Sequence, residues 1–443
     1  MPAPHAFAEH DYPDHRSDEQ RRQEREATQE QIAGLDRLSK EPERLKAVIG
    51  RLVERRATRP RRTRFEMVQA ESTPVLVAAG SVVVRGERMP DQVFKALTSR
   101  ATVTNHVCRR MDVSRSGEDR RTIAEIVDEL RQDLPDVGVN HILPLAGHIK
   151  GGGGPEPSAG ARQFGEVWFP KLRPSPVIAV LDTGVSAERR TDDFLAMQLD
   201  AEDIDPLDEL GRAGYLDAAA GHGAFVAGIV QQVAPEADVR IYRAVDSDGI
   251  TTDTGLADLV RTAIADGATI INLSLGTVTV DGEPPPAVAD VVQQNPDVLF
   301  VCAAGNGGKV EDVWPAALAG THPNVVSVAA LDASGEPAPW SSRREGTTFS
   351  AIGEGVVSTY VKGEEDGALI GDPHPDTYGD NAWALWTGTS FAAPQITGAL
   401  ARLVMSNEHD MTPAEAVAEL HRRGSTPEKP DEYGTRVRIL PGT

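Results

Sequence analysis

The strongest constraint on the fold is a run, from about residue 170 onward, of short Val- and Ile-rich segments separated by helical stretches. PSPVIAVLD, ADVRIYRAV, ATIINLSLG, DVLFVCAAGN and NVVSVAALD are nearly continuous in apolar residues rather than alternating. A strand reads that way when both of its faces are buried, as in a parallel sheet covered by helices on either side. AFVAGIVQQV, TGLADLVRTAIADG and PAVADVVQQN supply helices between several of them. The expected fold over 170–443 is therefore α/β, a three-layer sandwich with a mostly parallel central sheet. Chemistry in such a fold is expected where loops converge at the carboxyl ends of the strands.

The chain ahead of this region divides by composition. Residues 1–64 are polar and densely charged. Within them Ile32, Leu35, Leu38, Leu45, Val48, Ile49 and Leu52 recur at three- and four-residue steps, which fits an amphipathic helix or a helical pair broken near Pro42. The stretch ends in the basic cluster TRPRRTR (58–64). It reads either as a solvated, charged helical arm or as a helix that docks a regulatory partner. Residues 74–149 read as a small α+β domain. PVLVAAGSVVVRG is a strand or hairpin, DQVFKALTSR a helix, TVTNHVCRRMDV a strand, RRTIAEIVDELRQDL an amphipathic helix and VNHILPL a closing strand. KGGGGPEPSAGARQ has the composition of a linker, assigned to 150–169.

Composition narrows the partners. The formal charge of −22 argues against nucleic acid, whose phosphates call for a basic face. The acidity serves either solubility or an acidic rim that attracts basic peptides. Cys108 and Cys302 are the only cysteines, too few for a disulfide framework. Cys302, inside DVLFVCAAGN, reads as a buried small hydrophobe. The segment MPAPHAFAEHDYPDHRSDEQ lacks the pattern of a secretory signal, and no segment has the apolar length to span a bilayer, so a cytoplasmic location without membrane partners is expected.

Three features at strand or helix ends carry chemistry. In VIAVLDTGV (177–185), Asp182 follows five apolar residues; a carboxylate buried there needs a partner. In GHGAFVAGIV (221–230), His222 stands between two glycines at the start of an apolar helix. In TGTSFAAPQITGALARLV (387–404), Ser390 begins a helix, with Pro394 read as lying in its first turn. Each residue alone has a structural reading: a turn, a core histidine, a helix cap. Together they supply an acid to orient, an imidazole to move a proton and a hydroxyl to attack, the set a Ser-His-Asp relay needs.

These three blocks, in this order, resemble those of the subtilisin-like serine proteases over about residues 175–440. VCAAGNGG (301–308) resembles the family's oxyanion-hole segment, which maps onto Asn306. INLSLGT (271–277) resembles the strand lining the substrate cleft. The resemblance implies a catalytic relay of Asp182, His222 and Ser390. It implies an oxyanion hole from the Asn306 side chain and the Ser390 N–H. Ser274, Leu275, Gly276, Ala303, Ala304 and Gly305 are then the substrate-binding wall, with an extended peptide along the strand edge. Gly184, Gly223 and Gly388 are expected to allow tight turns, and Gly276 and Gly305 to leave room for a substrate backbone. Such chemistry requires no cofactor; calcium is frequent in the family, but no ligand spacing here names its residues.

The match has departures. Where the family usually reads HGTHVAG, this chain has Ala224 and Phe225; beside the nucleophile, Phe391 replaces the commoner Met. Acidic loops (TDDF, DAEDIDPLDEL and 363–380) read as solvated loops, a rim for basic substrates or a calcium site. The unit at 74–149 resembles in outline an inhibitory propeptide, with cleavage expected in 145–170; the alternative is a permanent accessory domain. The expected function is an endopeptidase acting on protein or peptide substrates. A catalytically silent peptide-binding scaffold of the same fold is the alternative.

Overall fold

The structure, a computed structural model, describes residues 16–57, 63–70, 73–85, 98–102, 108–113, 121–145, 154–159, 176–192, 194–195, 200–209, 213–367, 375–406, 411–425 and 432–442. Helices α1 (Asp18–Lys40) and α2 (Pro42–Ala57) come first. Ser17 and Gln20 form a capping box at the start of α1, satisfying donors that a helix end leaves open. The break between the helices falls at Glu41, before Pro42, a residue suited to the first position of a helix. Ile32 and Leu35 of α1 pack against the core of the later α/β region. Leu38, Leu45 and Val48 lie outside the described side chains.

β1 (Phe65–Ala70), β2 (Thr73–Arg85), β3 (Thr98–Thr102), β4 (Cys108–Val113) and β5 (Val137–Pro144) form an antiparallel sheet in the order β3-β4-β2-β5, with β1 also on β2. β2 is one strand rather than a hairpin; its irregularity between Val77 and Val82 surrounds Gly80, which adopts a φ of 78°. The helix expected over DQVFKALTSR is not borne out at its end, where Thr98–Arg100 belong to β3; residues 91–97 lie outside the described residues. α3 (Ile123–Leu130) opens on a Thr122–Glu125 capping box and buries Ile123, Ile126 and Val127 against Val82, Val84 and Val139.

The remaining elements are β6 (Glu156–Pro157), β7 (Val177–Asp182), α4 (His222–Val233), β8 (Asp238–Arg243), β9 (Ile250–Thr252), α5 (Asp253–Ala265), β10 (Ala268–Leu273), α6 (Pro286–Gln294), β11 (Leu299–Ala303), β12 (Val325–Leu331), β13 (Phe349–Ile352), β14 (Val356–Thr359), β15 (Gly363–Glu364), β16 (Thr377–Tyr378), β17 (Trp383–Trp386), α7 (Thr389–Ser406), α8 (Pro413–Arg423) and β18 (Thr435–Arg436). Seven strands build the central sheet in the order β18-β13-β12-β11-β10-β7-β8, every neighbouring pair parallel. Strand parity explains the continuous apolar runs. Ile178, Val180, Val301 and Val328 face the core containing α4 and α7. Ala179, Leu181, Ile271 and Phe300 face the core containing α5 and α6. The three-layer α/β sandwich is as expected.

Two junctions bear on the site. β5 pairs antiparallel with β9, Ile142 opposite Thr252 and Pro144 opposite Ile250, so the small sheet gains a strand from the α/β region. Inside the stretch read as a linker, β6 pairs with β17, and Gln31 Nε2 of α1 donates to the carbonyls of Gly154 and Leu385 at 2.8 and 3.2 Å. Among the described residues, no helix is long and apolar enough to cross a membrane.

Candidate active site

Asp182 ends β7 and His222 opens α4, two elements that lie side by side because their glycines interlock. A Cβ on Gly223 would fall 2.3 Å from the Gly184 carbonyl oxygen, and one on Gly184 2.3 Å from that of Asp203; Gly184 has a φ of 94°. Both positions need glycine. Gly223 N–H also donates to Thr183 Oγ1 at 3.0 Å, pinning the helix start to the strand end.

The carboxylate of Asp182 is fully buried. Its Oδ1 and Oδ2 lie 2.8 and 2.9 Å from His222 Nδ1, and Oδ1 also accepts Thr183 N–H at 2.8 Å. An ionised carboxylate only accepts, so Nδ1 carries the proton and the neutral ring keeps Nε2 as its basic atom. Asp205, from the acidic loop ahead of α4, accepts Gly221 N–H at 2.9 Å and Leu207 N–H at 3.1 Å; burial pushes its carboxyl up to about 6. That loop carboxylate therefore shapes the turn into His222.

His222 is walled by aromatic rings. Its ring centroid lies 5.3 Å from Trp386, edge-on, and 5.4 Å from Phe391. Phe225 and Phe391 are 4.7 Å apart, and Phe225 meets Trp386 at 5.6 Å. Two of the three departures from the usual motif thus touch each other: Phe225 and Phe391 fill one apolar wall behind the imidazole.

Ser390 is the second residue of α7. Pro394 lies past the first turn, contrary to the sequence reading, and has no N–H to give the carbonyl four residues earlier, that of Ser390. Ser274 Oγ donates to that carbonyl at 2.9 Å, while Ser390 Oγ donates to the Ser274 carbonyl at 3.2 Å. Beyond the end of β11, Asn306 Oδ1 accepts from both the N–H and the hydroxyl of Thr389 at 2.9 Å. Those donors fix which end of the amide is oxygen, and Nδ2 lies on the side of Gly388, 3.4 Å from where a Cβ there would stand. Asn306 is thereby tied to the residue preceding Ser390.

The two expected wall segments meet at Val313. A Cβ on Gly276 would fall 2.8 Å from Val313 Cγ1 and 3.0 Å from the Trp314 carbonyl oxygen; one on Gly305 would fall 3.2 Å from Val313 Cγ2. The side chains of Leu275, Ala303 and Ala304 turn into the interior. The Gly276 N–H donates to the Pro144 carbonyl at 2.9 Å, Leu145 N–H donates to the Gly249 carbonyl at 3.0 Å, and Leu145 forms an antiparallel bridge with Leu275. The end of β5 therefore lies extended between 249–252 and 274–276. His222 and Ser390 are only 1% and 2% exposed.

Sequence reasoning missed Thr183, Thr389, Trp386 and Val313, which act through contacts between distant segments; only the position of Thr183 and Thr389 beside Asp182 and Ser390 hinted at them. Among the described residues, no group of three or more His, Cys, Asp or Glu side chains is arranged to hold a metal ion. Cys302 is buried, which pushes its thiol well above the usual range.

An intracellular serine protease of Paenibacillus polymyxa is 29% identical over 260 residues, 56% of this chain and 73% of that protein. The major intracellular serine protease of Bacillus subtilis is 28% identical over 279 residues, 58% of this chain and 79% of that protein. The crystal structure of fervidolysin from Fervidobacterium pennivorans, a keratinolytic enzyme related to subtilisin, shares the fold with a TM-score of 0.55 at 20% identity, covering 82% of this chain and 60% of that one. Residues 174–432 match the subtilase family, and with more than half of its length inside that match, the chain belongs to the subtilase family.

Proposed function

We propose that this protein is a serine endopeptidase that cleaves peptide bonds through an acyl-enzyme on Ser390. Ser390 Oγ bonds to the scissile carbonyl carbon as His222 Nε2 takes its proton. The tetrahedral oxyanion receives hydrogen bonds from Asn306 Nδ2 and the Ser390 N–H. Its collapse breaks the C–N bond, and His222 returns the proton to the leaving amine. A water molecule, deprotonated by the same nitrogen, then releases the acyl group. Asp182 holds the tautomer and balances the imidazolium. The observation that carries this reading is the buried Asp182 carboxylate held on His222 Nδ1, since it leaves Nε2 as the base. No cofactor enters these steps. The names of the two bacterial relatives support a cytoplasmic site of action.

The α+β unit controls the enzyme by lying in its cleft. The backbone of Pro144 and Leu145 takes the hydrogen bonds an extended substrate would take at Gly276 and Gly249, which supports a propeptide role with cleavage beyond Leu145. Incubating the purified chain tests both parts: N-terminal sequencing should reveal a new terminus within 145–170 in wild type and none in Ser390→Ala. The same new terminus in Ser390→Ala, formed at the same rate, would defeat the assignment.

A further inference from the structure

The last turn of α2 carries a buried arginine, Arg56, and a partly buried one, Arg55, that the peptide-bond chemistry does not use. Arg56 Nη2 lies 2.7 Å from Asp246 Oδ2 and Nη1 3.4 Å from Asp248 Oδ2, with 2% of the side chain exposed. Arg55 pairs closely with Asp248 and stands 3.6 Å from Asp217. The side chains of Asp217 and Asp248 are wholly buried, and Asp366 adds a further negative charge within range of Arg55. Carboxylates gathered out of water repel one another unless cations sit among them.

The pocket is built from two turns that border the cleft. The Asp217 carbonyl accepts Ala220 N–H in the turn leading to His222, and Gly249 N–H closes on the Asp246 carbonyl in the turn whose Gly249 carbonyl receives Leu145. Ser247 Oγ joins the turns by donating to Asp217 at 2.6 Å. The same helix seals the neighbouring seam: Ile49 and Leu52 pack with Phe65, Leu76 and Ile142 of the small sheet and with Ile250 of β9. Arg56 also lies over the Phe65 ring, 5.4 Å from its centroid. One helix therefore grips the inhibitory sheet, the strand that pairs with it, and both turns.

We propose that the pocket of Asp217, Asp246 and Asp248 is a guanidinium-binding site, filled here by the chain's own Arg55–Arg56 pair, and that its filling holds β5 in the cleft. This rests on the inhibitory role assigned to β5 above. The forked donors of arginine suit paired carboxylates in a way a lysine ammonium does not. An arginine-bearing polypeptide is thus the partner class able to take the pocket when the arm leaves, and the net charge of −22 favours its approach.

Hydrogen exchange on the full chain carrying Ser390→Ala tests this without requiring catalysis, so a failed peptidase assignment would leave the result standing, and the reverse. Adding Arg55→Ala and Arg56→Ala should raise exchange at least tenfold in Val137–Leu145 and Ile250–Thr252, with Thr389–Ser406 unchanged. Methylguanidinium should restore protection; equal concentrations of methylammonium should restore less. Should the alanine pair fail to fold, Arg55→Lys with Arg56→Lys keeps both charges and should still loosen both strands. Unchanged exchange in β5 and β9 in the folded variant, or rescue no better by methylguanidinium than by methylammonium, would overturn the proposal.

Discussion

Ser274 and Ser390 exchange hydrogen bonds: the hydroxyl of each donates to the other's carbonyl, at 2.9 Å from Ser274 and 3.2 Å from Ser390. The exchange exists because Pro394 leaves the Ser390 carbonyl without its helical donor. It ties the Ser390 backbone to the strand end that also receives the end of β5. Ser274→Ala should cost about 1–3 kcal/mol, the range for a buried acceptor left unsatisfied. Pro394→Ala, which restores an N–H, should recover part of that loss. A double-mutant cycle on urea unfolding checks it; strict additivity would count against the link.

Phe225 and Phe391 form one wall behind His222, so each should be intolerant of truncation. Phe225→Ala should cost about 3–5 kcal/mol, whereas Phe391→Met, nearer in volume, should cost under about 1.5 kcal/mol. Chemical denaturation separates the two, and a slower turnover in Phe225→Ala is expected because the imidazole loses its packing.

His141 should make docking of the small sheet pH-dependent. Its Nε2 accepts the Val280 N–H at 3.3 Å, across the junction between the units. Burial pushes its pKa down to about 4 from 6.5, with Asp281 opposing and Arg131 assisting. The folded value lies below the unfolded one, so the stabilisation is complete above the unfolded pKa and is lost as pH falls from there towards the folded value. Its size is about 3 kcal/mol. Stability of His141→Gln, measured between pH 7 and pH 4, should fall less steeply than that of wild type; parallel curves would exclude the role.

Val313 stands between Gly276 and Gly305, in the two segments expected to form the substrate-binding wall. Val313→Ala should widen that gap and raise kcat/KM for peptides with large residues before the scissile bond relative to those with alanine. A panel of peptides differing only at that residue measures the shift. Gly276→Ala should remain damaging even in the Val313→Ala background, because the Trp314 carbonyl still stands 3.0 Å from the new Cβ.

Much of the α/β core was legible because strands such as Ile178–Leu181 and Leu299–Ala303 are buried on both faces, which forces continuous apolar runs. Asp182 and His222 were legible because a carboxylate after five apolar residues needs a partner, and because the motifs around both resemble those of the subtilisin-like proteases. What stayed hidden depends on contacts between distant segments. The pairing of Glu156–Pro157 with β17 is too short to leave a periodic signal. Glycine and proline content made its surroundings look like linker. Arg55 and Arg56 read as part of a polar arm because nothing local tells a solvated arginine from one seated among Asp217, Asp246 and Asp248. Pro394 was read into the first turn because nothing in the sequence showed that α7 already begins at Thr389, ahead of Ser390.

The proposed role of Ser390 as nucleophile can be tested by chemistry. After the incubation that tests for self-cleavage, the protein is treated with a fluorophosphonate probe and digested, and any adduct is located by tandem mass spectrometry. The adduct should lie on Ser390 alone, and it should disappear when His222 is replaced by Ala. An adduct on a different residue, or a cleaved and folded protein that takes up no probe, would show that Ser390 does not do the work assigned to it.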